Sequence, residues 1–114
     1  MEYKNGFSDL YDQCDKSLQT KIDQRAAVLM EKGNLAGRPG TAPLKHKLFE
    51  LRARKGKVRP RFIFYFAPNR EIIFVTSIFK KTKKIPKETI DNARKIKATL
   101  EANPELMNVL TQIH

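Results

Sequence analysis

Positively charged side chains are the most numerous residues of this sequence that could do chemistry. Residues 45–61 contain eight lysines and arginines against a single acid, Glu50, and residues 80–87 add five lysines and no acid. Guanidinium and ammonium groups bind phosphate oxygens, and they stabilise the negative charge that develops when a phosphodiester is attacked. The sequence therefore predicts a binding site for a polyanion, with nucleic acid as the favoured class.

Side chains for other familiar catalytic sites are scarce. The only histidines are His46 and His114 and the only cysteine is Cys14, so neither a histidine-based triad nor a zinc site is expected. The glycines of residues 37–40 lack the Lys-Ser/Thr ending of a phosphate-binding loop. We therefore expect neither a metal nor a cofactor.

Charge is distributed unevenly along the chain of 114 residues. The net charge is +11, yet residues 1–31 hold four basic and six acidic side chains, so the positive field is concentrated in the remainder. The length predicts a single domain over residues 1–114. A lone cysteine and the lack of a long apolar stretch predict a cytoplasmic protein without membrane contact.

Two helices are predicted before Gly33, which is a typical C-terminal stop. Apolar residues recur at three- and four-residue intervals from Phe7 to Leu18, with Ser8 as the N-cap. The pattern then continues into a second helix, or into the same helix bent near residues 15–17. Cys14 falls on the apolar stripe, which indicates a core residue rather than a nucleophile.

An antiparallel sheet is predicted next, after a loop over residues 33–43. The predicted strands cover residues 45–54, 61–67 and 71–79. The first strand alternates apolar and polar side chains, whereas the other two are apolar on both faces and are therefore expected to be buried. Turns at residues 55–57 and 68–70 would join the three strands as a meander.

Helices are predicted again after the sheet. Pro86 begins a helix that carries Ile90, Ala93 and Leu100 on one side, and residues 103–104 separate it from a final helix over residues 105–113. The predicted fold class is therefore α+β, with helices on both sides of the sheet in chain order.

Basic residues are expected to meet at one end of the predicted sheet. Arg52, Arg61 and Lys80 emerge from strands beside core residues, where a cation is not the usual choice, and strand pairing would gather them into a patch that suits phosphates. An enzymatic interpretation requires Arg61 and Lys80 to share one hollow. Tyr65 has the strand parity of Arg61, and we interpret it as a core residue rather than a platform for a base.

Several motifs together resemble a known family. They are Leu48–Arg52 (LFELR), Arg61–Phe66 (RFIFYF), Ile73–Glu88 (IFVTSIFKKTKKIPKE), Ile90 and Ala93. The sequence resembles the phage-derived Gp49-like branch of the RelE/ParE toxin superfamily, which includes HigB toxins. The resemblance consists of an acidic residue before leucine and arginine, an arginine that opens an aromatic strand, and a lysine-rich segment before a helix. The resemblance spans about residues 28–97.

The resemblance implies a toxin of a type II toxin–antitoxin system that cleaves messenger RNA, usually on the ribosome, and is silenced by an antitoxin protein. It implies a RelE-like curved sheet of three to four strands and a reaction without metal, in which the 2′-hydroxyl of RNA attacks the adjacent phosphorus. Arg61 and Lys80 would then stabilise phosphate charge, and Arg52 and Lys81 would orient the RNA backbone. The expected further RNA contacts are Lys45, Lys47, Arg54, Arg59, Lys83 and Lys84.

One departure from the family pattern leaves alternatives open. Many members of this family carry a histidine two positions before the phenylalanine that precedes the lysine-rich segment. In this chain that phenylalanine is Phe79, and the position of the histidine is occupied by Ser77. A general acid or base could therefore be missing, which would suit a basic nucleic-acid-binding or ribosome-binding accessory protein that does not cut. A ParE-like inhibitor of a topoisomerase is a third interpretation.

Overall fold

The computed structural model describes residues 6–68 and 71–103, which form helices, an antiparallel sheet and a helix in chain order. The elements are α1 (Ser8–Asp12), α2 (Lys16–Lys32), a 3₁₀ turn (Gly33–Leu35), β1 (Thr41–Pro43), β2 (Phe49–Arg52), β3 (Pro60–Phe66), β4 (Ile72–Phe79) and α3 (Lys87–Ala102). The predicted α+β fold is confirmed, with four strands in a curved sheet.

Strand order follows chain order, so β3 lies between β2 and β4 and is buried on both faces. Alternate residues of β3 point to opposite faces. Phe62 and Phe64 pack with α1 and α2, whereas Ile63 and Tyr65 pack with α3. Tyr65 is a core residue, as the sequence indicates, because its side chain is almost completely buried in the cluster that contains α3 residues.

The N-terminal helices differ from the prediction at one cap. Ser8 is the first residue of α1 and Phe7 takes the N-cap position, so the predicted cap is wrong. Asp15 caps α2 instead, accepting a hydrogen bond from the amide of Leu18 at 2.8 Å. Gly33 ends α2 with a φ of +56°, as predicted.

The predicted loop over residues 33–43 contains an additional strand. Residues 41–43 form β1, which pairs with β2 through the register Thr41 with Leu51. The predicted first strand over residues 45–54 is correspondingly shorter, because His46 and Lys47 adopt positive φ values of 63° and 59° and close a turn. Leu44 donates from its amide to the carbonyl of Leu48 across that turn, at 2.8 Å.

The helix after the sheet begins at Lys87, one residue after the start at Pro86 that the sequence predicts. Pro86 is the N-cap of α3, and Ala93 and Leu100 are buried against the sheet. The predicted turn at residues 68–70 and the predicted helix over residues 105–113 lie partly or wholly outside the described residues. No helix in the described part of the chain has the length and apolar character that crossing a membrane requires.

Candidate functional site

A hollow of about 570 Å³ lies where β2 ends, β3 begins and β4 ends, with α2 forming its opposite wall. Seven cationic side chains line it: Lys21, Arg25, Arg52, Arg54, Arg59, Arg61 and Lys80. No carboxylate lies among the described lining residues. We call this hollow the cationic pocket.

Strand pairing explains why distant basic residues meet there. Arg52 and Arg61 are direct register partners across β2 and β3. Arg61 is paired with Ile78 across β3 and β4, and Lys80 follows two residues later, with its amide donating to the carbonyl of Arg59 at 2.8 Å. Since side chains two residues apart share a face, Lys80 continues the row that begins at Arg52.

Arg61 is the most firmly held cation of the pocket. Its side chain is only 4% exposed, and its Nη1 donates to the carbonyls of Ala53 and Pro60, both at 2.9 Å. Burial lowers the pKa of the guanidinium and the nearby carboxylate of Glu50 opposes that shift. Arginine remains protonated under such shifts, so Arg61 is a fixed positive charge at the floor of the pocket.

Glu50 lies beneath the pocket and contacts two of its arginines. The Oε1 atom of Glu50 is 3.3 Å from Nε of Arg61 and 3.4 Å from Nε of Arg52, and the residue is 5% exposed. A buried carboxylate between two guanidinium groups compensates one of the two charges. The two arginines therefore keep a net positive charge toward the hollow, and Glu50 restrains the orientation of both from beneath the pocket.

Lys80 lines the pocket at the end of β4, and its surroundings lower its proton affinity. Burial lowers the pKa of its ammonium group, the positive charge of Arg61 lowers it further, and the carboxylate of Glu50 opposes the shift. The ammonium therefore releases its proton more readily than a free lysine, whose pKa is 10.5. An ammonium group in the pocket can bind a phosphate oxygen and can also donate a proton to a leaving oxygen.

Five of the predicted site residues line the cationic pocket and five do not. Those in the pocket are Arg52, Arg54, Arg59, Arg61 and Lys80. Those outside its lining are Lys45, Lys47, Lys81, Lys83 and Lys84, which are all exposed to solvent. Arg61 and Lys80 thus share one hollow, which is the arrangement that the enzymatic interpretation requires.

The wall supplied by α2 is what the sequence interpretation missed. Lys21, Gln24, Arg25 and Val28 line the pocket, and none of them is among the site residues predicted from the sequence. The spacing of four residues from Lys21 to Arg25 and three more to Val28 places all three on one face, which is the available signal. Lys21 also donates to the carbonyl of Arg54 at 3.1 Å, joining α2 to the end of β2.

Imidazole groups do not contribute to the pocket in the described part of the chain. Ser77, which stands where the family resemblance implied a histidine, is paired with Phe62 in the sheet and is outside the pocket lining. His46 lies in the turn before β2, where its carbonyl accepts a hydrogen bond from Lys97 at 3.4 Å. No group of three or more potential metal ligands occurs within residues 6–68 and 71–103.

The fold and the pocket define a class: a small α+β protein whose antiparallel sheet ends in a cluster of cations. The family described as "Phage derived protein Gp49-like (DUF891)" matches residues 9–98, a stretch that includes every residue of the cationic pocket. This chain therefore belongs to the phage-derived Gp49-like family, which is a RelE/HigB-type toxin family. No curated protein matches the sequence.

Proposed function

We propose that this chain is the toxin of a type II toxin–antitoxin pair and acts as a metal-independent endoribonuclease on messenger RNA at the ribosome. It would act as a single domain over residues 1–114 in the cytoplasm and be silenced by a cognate antitoxin protein. The toxin-like family supports the class, and the cationic pocket supports the chemistry. RNA-specific cleavage follows from the substrate, because only RNA carries the 2′-hydroxyl nucleophile.

The observation that carries the proposal is the convergence of seven cations in a pocket whose lining, among the residues that the structure describes, includes no carboxylate. When a 2′-oxygen attacks phosphorus, the phosphoryl group gains negative charge in the transition state. Cations fixed beforehand stabilise that charge without reorganising during the reaction. Arg61, held by two backbone carbonyls, and Arg52, its register partner, would bind the non-bridging oxygens.

At phosphorus, the proposed step forms one bond and breaks one. The 2′-oxygen bonds to phosphorus and releases its proton to solvent, while the bond from phosphorus to the 5′-oxygen breaks. Lys80, whose pKa is lowered by burial and by Arg61, would give its proton to the departing 5′-oxygen and recover one from water. The products are a 2′,3′-cyclic phosphate and a 5′-hydroxyl. Lys81 and the exposed lysines Lys45, Lys47, Lys83 and Lys84 would contact phosphates outside the pocket.

Induced expression tests the proposal directly. We expect the wild type to arrest growth and to produce new 5′ ends in transcripts, and we expect Arg52→Ala with Lys80→Ala to abolish both. The matched control removes two exposed cations from α3, Lys87→Ala with Lys95→Ala, and should retain both effects. A pocket variant that folds and still cleaves transcripts would contradict the assignment.

A second candidate function is a basic nucleic-acid-binding or ribosome-binding protein that does not cut. It is favoured by Ser77, because a serine outside the pocket cannot replace a histidine as an acid or base. Under this alternative the wild type would retain RNA with a salt-dependent affinity, and no transcript would carry new ends. The same variants would then lower affinity only.

A further inference from the structure

A second hollow lies beside the cationic pocket and shares part of its wall. It has a volume of about 400 Å³ and is bounded by the C-terminal half of α2 and the chain that leads to β1. Arg25, Val28 and Pro39 line both hollows. We call the second hollow the adjacent pocket. A ligand that leaves the cationic pocket along α2 therefore enters the adjacent pocket directly.

Positive charge in the adjacent pocket is not compensated by acids. Arg25, Lys32 and Arg38 line it, and no carboxylate lies among its described lining residues. None of these three cations takes part in an ion pair within residues 6–68 and 71–103. Uncompensated cations around a concave surface attract an anion.

Apolar side chains stand next to these cations. Leu35 is 83% exposed and Val28 is 44% exposed, and both line the adjacent pocket. The 3₁₀ turn Gly33–Leu35 presents the leucine to solvent. Exposed apolar groups beside cations match a ligand that has both a phosphate and a less polar body, and a nucleotide with its ribose and base is such a ligand.

Arg25 occupies the boundary between the two pockets because Gly40 leaves room for it. A Cβ atom built on Gly40 would lie 3.1 Å from Cδ and 3.6 Å from Nη1 of Arg25. The side chain of Arg25 therefore lies against a backbone surface without a side chain. In that position its guanidinium borders both hollows.

We propose that the adjacent pocket binds a nucleotide next to the linkage held in the cationic pocket, so that single-stranded RNA runs along α2 from one pocket to the other. This inference rests on the proposed function, because it assumes that RNA occupies the cationic pocket. A single strand presents both phosphates and less polar riboses and bases, which matches a lining that contains cations together with the apolar side chains of Val28 and Leu35. A peptide with acidic residues is the competing occupant, and the test below separates the two.

Equilibrium binding of RNA of two lengths tests the inference. The probes are a 2′-O-methyl dinucleotide and a 2′-O-methyl hexanucleotide, which cannot be cleaved because the nucleophile is blocked. The variant is Arg38→Glu, an exposed loop residue, and the control is Lys95→Glu, an exposed residue of α3 with the same change of charge. Fluorescence anisotropy over a range of salt concentrations gives affinities and salt slopes.

We expect Arg38→Glu to weaken hexanucleotide binding by about tenfold and to reduce the salt slope by roughly 0.7, the value for one phosphate contact of a single strand. Dinucleotide binding should change by less than about twofold, because the dinucleotide does not reach beyond the cationic pocket. Leu35→Ala should weaken the hexanucleotide, whereas Met30→Ala, an exposed apolar residue of α2 outside the lining, should not.

Three results would overturn the inference: an unchanged hexanucleotide affinity in Arg38→Glu, an equal loss in Lys95→Glu, or binding of a polyglutamate peptide that depends on Arg38 while hexanucleotide binding does not. Cleavage is measured separately on unmodified messenger RNA bound to ribosomes, which is the proposed substrate. Loss of hexanucleotide binding in Arg38→Glu without any wild-type cleavage would support the adjacent pocket and contradict the endoribonuclease. Wild-type cleavage with unchanged hexanucleotide binding in Arg38→Glu would do the reverse.

Discussion

Two regions of this molecule have similar basic sequences and different structural environments. The end of the sheet gathers Arg52, Arg61 and Lys80 around one hollow, where burial and neighbouring charges shift the pKa of Arg61 and Lys80. The segment from Lys81 to Lys84 carries as dense a charge but remains exposed beyond the end of β4. Exposed charges are screened by solvent and salt, whereas charges restrained in a hollow act together on one ligand. Charge density alone therefore does not identify the site.

The largest expected difference is between the cleavage rates of two lysine-to-alanine variants, one in the cationic pocket and one in the exposed segment. Lys80→Ala should lower RNA cleavage by about 10³-fold, equivalent to about 4 kcal/mol of transition-state stabilisation, because it removes a preorganised cation and the proposed proton donor. Lys83→Ala should lower cleavage by less than about threefold, because it removes one screened charge. Single-turnover rates on one ribosome-bound messenger RNA give both values. Equal losses in the two variants would mean that the regions do not differ in function.

A second comparison sets the buried ion pair of the site against an exposed one. Glu50→Gln should lower the free energy of unfolding by about 3 kcal/mol, because Arg61 would remain buried without its counter-charge. Lys55→Gln breaks the pair between Nζ of Lys55 and Oδ2 of Asp15, 2.7 Å apart and exposed, and should change stability little. Urea unfolding followed by circular dichroism measures both. A Glu50→Gln protein as stable as the wild type would show that Glu50 does not restrain the arginines.

The smallest expected effect is a shift in the titration of Lys80. Its pKa is lowered from 10.5 by burial and nearby arginines, so its positive charge is lost as pH rises through that lower pKa. The uncharged form is favoured by folding, and this group therefore contributes stability that increases with pH between its folded pKa and 10.5. A bound phosphate should raise the pKa again, because an anion favours the ammonium form.

Nuclear magnetic resonance of lysine side chains, with the Lys80 signal assigned by Lys80→Arg, measures that shift in the absence and presence of non-cleavable RNA. An upward shift on adding RNA places the anion at Lys80. The absence of a shift at saturating RNA would place the ligand elsewhere.

Much of the fold was predictable because it depends on local pattern. Residues 61–67 are apolar on both faces, which predicts a central strand, and β3 is that strand. Residues 41–43 gave no such signal, since β1 is three residues long and is defined by its pairing with β2. The later start of the first predicted strand was equally unpredictable from the sequence, because His46 and Lys47 adopt positive φ values that neither residue type requires.

The site was predictable to the extent that strand ends determine it. Arg52, Arg61 and Lys80 could be expected to meet because, in an antiparallel sheet, the end of one strand lies beside the start of the next. The contribution of Lys21 and Arg25 depends on how α2 is rotated and docked against the sheet, which no local pattern specifies. The separation of pocket lysines from the exposed lysines of residues 81–84 depends on the same three-dimensional arrangement.

The net charge, the central strands and the cations at the strand ends follow from the amino-acid sequence, because composition and alternation act between neighbours in the chain. Which cations share a hollow, which carboxylate restrains them and where a second hollow adjoins the first depend on the packed fold. Those features depend on distances between residues far apart in sequence, and such distances are set when the helices pack onto the sheet.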